Sequence, residues 1–101
     1  MNFGLSVDDY AFLKKTVIDP LKKKSARVFV FGSRATGKHH TFSDIDILYV
    51  PLPNEGLTGA EMSAIKEAIE ESKFPIKVDI VGEDDLADSY RDRVNLEKIE
   101  V

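Results

Sequence analysis

The chain has 101 residues, 43% of them hydrophobic and 32% charged, which is the composition of one ordinary globular domain and excludes a disordered or fibrous segment. It has no cysteine, which excludes disulfides, thiolate-bound zinc and thiol catalysis and suits a reducing cytoplasm. The formal charge of −4 is unevenly spread, with eight Lys/Arg against three Asp/Glu in residues 1–38 and six against fifteen in residues 39–101. Overall acidity argues against general nucleic-acid binding. A basic half beside an acidic half suits a small anion held next to metal-binding carboxylates, although a lysine-rich first helix would leave the same trace. Apolar runs such as Val28–Phe31 and Ile47–Val50 are too short to span a membrane. Asp8, Asp9, Lys14 and Lys15 leave no apolar core for a secretory signal, so a cytoplasmic location is expected.

Ser6 with Asp9 three residues on predicts a helix from about Val7, continued by Tyr10, Leu13, Val17 and Leu21 at helical spacing. Pro20 either kinks that helix or opens a second one after Asp19, and Lys22–Lys24 end it. Arg27–Phe31 reads as a buried strand stopped by Gly32-Ser33, and residues 34–43 are polar and turn-like. Asp44–Val50 is a second strand closed by Pro51 and Pro53, followed by a loop with Asn54 and Gly56. Thr58 and Glu61 form a capping-box pattern for a helix expected to bury Met62, Ile65, Ala68 and Ile69. Pro75 releases a third strand, Ile76–Val81. Leu86, Tyr90 and Val94 suggest a last helix, and Leu96, Ile99 and Val101 a short terminal strand. The order α-β-β-α-β-α predicts one α+β domain over residues 1–101. In it a small mixed β-sheet is covered by helices, and the first two strands pair antiparallel.

Three features of this pattern carry chemistry. Glycine at 32 lets backbone approach a ligand, and the Ser33 hydroxyl with the following N–H groups can bind phosphate; a strand ending in Gly-Ser is also an ordinary turn. Asp44 and Asp46, two residues apart, project from one face of a strand while Ile45 and Ile47 point to the other. Adjacent like charges gain nothing structurally, and hard oxygen ligands at this spacing suit Mg2+, although solvated acids at a strand start would look the same. Asp79, alternating with Val78 and Ile80, belongs on the face to which Asp44 and Asp46 point; Lys77 offers it a plain surface ion pair instead. Arg34, Lys38, His39 and His40, in the polar segment between these features, are candidates for contact with an anion.

Gly32-Ser33, ten intervening residues, Asp44-x-Asp46 and a third carboxylate on a later strand resemble the signature of the DNA polymerase beta-like nucleotidyltransferase superfamily. The longer string Gly32-Ser33-Arg34-Ala35-x-Gly37 with Ser43-Asp44-Ile45-Asp46 is similar to that of the minimal nucleotidyltransferases, many of which are antitoxins paired with HEPN-domain toxins. The resemblance implies the polymerase beta-like fold and two Mg2+ ions held by Asp44, Asp46 and Asp79, with Asp79 also accepting a proton. It further implies an NTP, with ATP the expected one, bound through Gly32, Ser33 and Arg34. The activity implied is transfer of AMP to a hydroxyl of a partner protein, a HEPN toxin. The alternative is a binding module that masks its partner sterically or senses NTP without turnover.

Overall fold

The computed structural model describes residues 2–24, 26–53 and 57–101; the expected loop residues Asn54 and Gly56 lie outside them. Helix α1 (Val7–Leu13) starts at Ser6, whose Oγ accepts the Asp9 N–H at 3.1 Å. The helix does not break at Pro20. It passes through one π turn (Lys14–Ile18) into α2 (Asp19–Lys23), with the Asp19 N–H bonded back to Lys14 O. The widened turn absorbs the register defect that a proline without an N–H imposes on the carbonyls before it. Leu13, Val17, Ile18 and Leu21 are buried along this helical run.

The sheet contains β1 (Arg27–Phe31), β2 (Ile45–Val50), β3 (Val78–Gly82) and β4 (Ile99–Glu100) in the order β3-β2-β1-β4. β1 is antiparallel to both β2 and β4, and β2 is parallel to β3. The parallel pair is joined through α4 (Gly59–Glu71), which opens with the expected capping box: Glu61 N–H to Thr58 Oγ1 and Thr58 N–H to Glu61 Oε1, both 3.1 Å. After β3 a 3-10 turn (Glu83–Asp85) leads to α5 (Asp88–Glu97). The mixed sheet covered by helices is the one the element order predicts.

The two faces of the sheet are covered differently because strand side chains alternate. Val28, Val30, Ile45 and Ile47 face α1, α2 and α4 and join a continuous core with Leu13, Val17, Ile18, Leu21, Ile65 and Ile76. Phe29 and Leu48 face the other way and meet Val94 of α5, with Phe31, Val50 and Leu86 at the margin.

Three expectations need correction. The third strand starts at Val78 rather than Ile76, because β2 begins at Ile45, opposite Val78, and a strand pairs only as far as its neighbour runs. Ile76 is instead a buried plug of the helical core. Ala68 is exposed: Met62, Ile65 and Ile69 define the stripe by which α4 packs, and residue 68 lies on its flank. Leu86 precedes α5 and Tyr90 on it is 59% exposed, so only Val94 of the expected helical series is buried, and Leu96, expected in the terminal strand, belongs to α5 instead and is 88% exposed, β4 being only Ile99–Glu100. Among the described residues, no helix is long and apolar enough to cross a membrane.

Candidate functional site

β1 ends at Phe31, and Gly32 then takes φ 76° and ψ −156°, a conformation open in practice to glycine alone. A second constraint acts on the same residue, since a Cβ at position 32 would overlap the carboxylate of Asp46. The chain makes one helical turn, α3 (Ser33–Thr36), and Gly37 ends it in the left-handed region at φ 78°. Ser33 thus stands at the first position of that turn, beside the start of β2.

Phe31 pairs with Asp46 across the antiparallel ladder, and Asp46 pairs with Asp79 across the parallel one. Directly opposed strand residues share a face. Asp46 and Asp79 therefore stand side by side on the face away from the helical core, and Asp44 lies two residues earlier on the same chain. The Ile45 N–H to Lys77 O bond at 2.9 Å ties the start of β2 to the approach to β3. Lys77 Nζ lies 3.6 Å from Asp79 Oδ1, so the surface ion pair anticipated from sequence forms as well. In an exposed setting such a pair contributes about 0–1 kcal/mol and does not cancel the local negative charge.

The electrostatics record this crowding. Burial, then the neighbouring charges of Asp79 and Asp44, push the Asp46 carboxyl up to about 6, against the opposing pull of Lys77. A cavity of about 390 Å³ is lined by Ser33, His40, Phe42, Ser43, Asp44 and Asp46. A second, of about 730 Å³, runs along β3 and α4 and reaches Asp46 and Asp79. Asp46 borders both, so the acids sit where the two meet.

The residues of the intervening loop go to different places. Arg34 is only 2% exposed; its Nε donates to Ser43 O at 2.9 Å, Nη1 to Phe3 O at 2.8 Å and Nη2 to Thr41 O at 3.0 Å. The expectation that its side chain helps bind nucleotide is corrected: the guanidinium is committed inward, to three backbone carbonyls. It pins the N-terminal segment and the loop leading into Asp44. Phe3 adopts φ 54°, uncommon for a non-glycine residue, with its ring buried and its carbonyl engaged by Arg34. His39 packs against Gly4, where a Cβ would collide with its ring, while His40 lines the acid cavity and Lys38 lines a separate one beyond Ser33. Sequence reasoning did not single out Phe42, which is 71% exposed at the rim of the acid cavity. An aromatic residue inside a polar loop was the signal available.

For a divalent cation the donor set is chemically apt. Asp44, Asp46 and Asp79 supply hard carboxylate oxygens, and burial first, then the neighbouring acids, raise the Asp46 carboxyl. Among the described residues, no three acidic or histidine side chains already converge as a cage for a metal ion. Mg2+ in general takes one or two protein carboxylates and completes its shell with water and substrate phosphates.

A small mixed sheet that sets paired strand carboxylates beside a Gly-Ser corner defines a class of α+β domain with an acidic sheet end. Within that class the assignment is specific: the description "Polymerase beta, Nucleotidyltransferase" matches residues 15–99, and the chain belongs to this family. Among solved structures, a chain of a toxin-antitoxin with AMP-PNP is similar at TM-score 0.63 and 20% identity, covering 86% of this chain and 70% of that one. A Sulfolobus solfataricus protein provisionally described as a nucleotidyltransferase is similar at TM-score 0.47 and 21% identity, covering 93% of this chain and 83% of that one. No curated protein matches.

Proposed function

We propose that the protein is an Mg2+-dependent nucleotidyltransferase that moves AMP from ATP onto a hydroxyl of a partner protein. The observation that carries this reading is the direct pairing of Asp46 with Asp79, with Asp44 two residues away and the Gly32 corner against the Asp46 carboxylate. Asp44, Asp46 and Asp79 would hold the cation, which when bound neutralises triphosphate charge and makes an acceptor hydroxyl more acidic. Gly32 keeps the corner close to the acids, and Ser33 Oγ with the adjoining backbone N–H groups orients the β- and γ-phosphates. The acceptor oxygen bonds to the α-phosphorus as the bond to the β-phosphate bridging oxygen breaks, and pyrophosphate leaves. The hydroxyl proton passes to the Asp79 carboxylate.

The partner in this reading is a HEPN-domain toxin. Family resemblance in the string from Gly32 to Asp46 supports it, as does the shared fold with a toxin-antitoxin chain solved with AMP-PNP.

The test incubates the protein with α-labelled ATP, Mg2+ and the product of the neighbouring gene and follows label on that product. Transfer by the wild type and none by the Asp44→Asn/Asp46→Asn double variant is the expected result. Label that persists in the double variant would falsify the assignment of the acids. Inhibition of the partner without label, equal in both proteins, would replace catalysis with steric masking.

A further inference from the structure

A cavity of about 270 Å³ lies on the far side of the Gly32-Ser33 corner from the acid loop, between that corner and α5. Its walls include Phe31, Lys38, Tyr90, Arg93 and Glu97, and Ser33 lines both this cavity and the acid cavity. Phe31 is the strand partner of Asp46, so the cavity begins one strand away from the acids on the same face of the sheet. We infer that this cavity is the subsite for the nucleoside half of the nucleotide, with Tyr90 as its aromatic platform; the inference rests on the nucleotidyltransferase reading above.

The lining favours that half of the molecule over the phosphates. At about 270 Å³ the space is below the ~300 Å³ lower end of pockets that take a whole drug-sized ligand, so it suits a part of one. Tyr90 is 59% exposed although Val94, one turn further along α5, is buried, so its ring does not serve the core. An aromatic face free of packing is what a base stacks on. Glu97 accepts from Arg93 Nε at 3.1 Å, and this pair offers one donor group and one acceptor group to the cavity. The Glu97 carboxylate repels phosphate but accepts hydrogen bonds from sugar hydroxyls or an exocyclic amine. Lys38 and Ser33, on the wall nearer the corner, suit the point where the phosphates begin.

Equilibrium binding of two probes in Mg2+, a non-hydrolysable ATP analogue and inorganic tripolyphosphate, tests the inference on wild type, Tyr90→Ala and Tyr90→Phe. Because Tyr90 is exposed, its truncation leaves the core intact. The expected result is that Tyr90→Ala weakens the analogue roughly tenfold, the loss of one stacked base, that Tyr90→Phe retains it, and that tripolyphosphate binds all three proteins alike. Unchanged analogue affinity in Tyr90→Ala, or an equal loss for both probes, overturns the subsite and leaves the nucleotidyltransferase reading standing. A wild type that binds neither probe overturns the nucleotidyltransferase reading, and the subsite with it.

Discussion

The two faces of the same four-stranded sheet have been put to opposite uses. On one face Val28, Val30, Ile45 and Ile47 are sealed under α1, α2 and α4, each removed from water. On the other, α5 covers only Phe29 and Leu48 through Val94, and the sheet end beyond them carries Asp46 and Asp79 side by side. Ile47 and Asp46 are neighbours in sequence, yet one is stabilising burial and the other is half-buried charge held against its own repulsion. A fold this small concentrates stability on one layer so that the other can tolerate a strained electrostatic site.

The sharpest test of this contrast is activity. Asp46→Asn should lower AMP transfer on the order of a thousandfold, the several kcal/mol of barrier that a metal-binding carboxylate controls, as measured by label on the partner. Arg34→Met should follow closely in stability: it strands three carbonyls that the guanidinium now satisfies and costs about 3 kcal/mol or more in urea unfolding. Ile47→Ala should cost about 3 kcal/mol through lost burial and a residual cavity, while transfer per folded molecule stays near wild type. Gly32→Ala meets both the positive φ and the Asp46 carboxylate, so about 1–2 kcal/mol of destabilisation and a fall in transfer should come together.

The smallest effect has the opposite sign. Without ligand at neutral pH, Asp46→Asn should stabilise the protein by on the order of 1 kcal/mol, a value discounted for the solvent that still reaches the group. Asp46 titrates near 6 in the folded chain and at 3.8 by its ordinary value, so between these the folded state holds a proton that the unfolded chain has released. Its contribution to stability is therefore full below pH 4 and lost as pH rises through about 6. Urea midpoints across this interval should fall for the wild type and flatten for Asp46→Asn; parallel curves would show that the acids do not repel as their pairing implies.

What was legible in advance follows the range of the physics involved. The caps at Ser6 and Thr58, the strand Arg27–Phe31 and the shared face of residues two apart are set by neighbours within four positions along the chain. Pro20 was ambiguous for the same reason: a kink and a second helix opening after Asp19 satisfy the same local sequence, and the π turn that carries the helix through, with Val17, Ile18 and Leu21 buried on both sides, is neither. Arg34 was misread because charge suggests solvent or anion, whereas its partners are carbonyls at positions 3, 41 and 43 that no local pattern brings together.

The amino-acid sequence by itself determined the main helices and strands, their order, the Gly-Ser corner and the pair of acids two residues apart, because each depends on backbone periodicity and short-range capping. Tertiary structure alone decided that Asp79 lies opposite Asp46, that Arg34 turns inward, and that Tyr90 overhangs a cavity beside Ser33. These are outcomes of strand register and of which helix covers which face, and both are fixed by burying one continuous core rather than by any residue's neighbours in the chain.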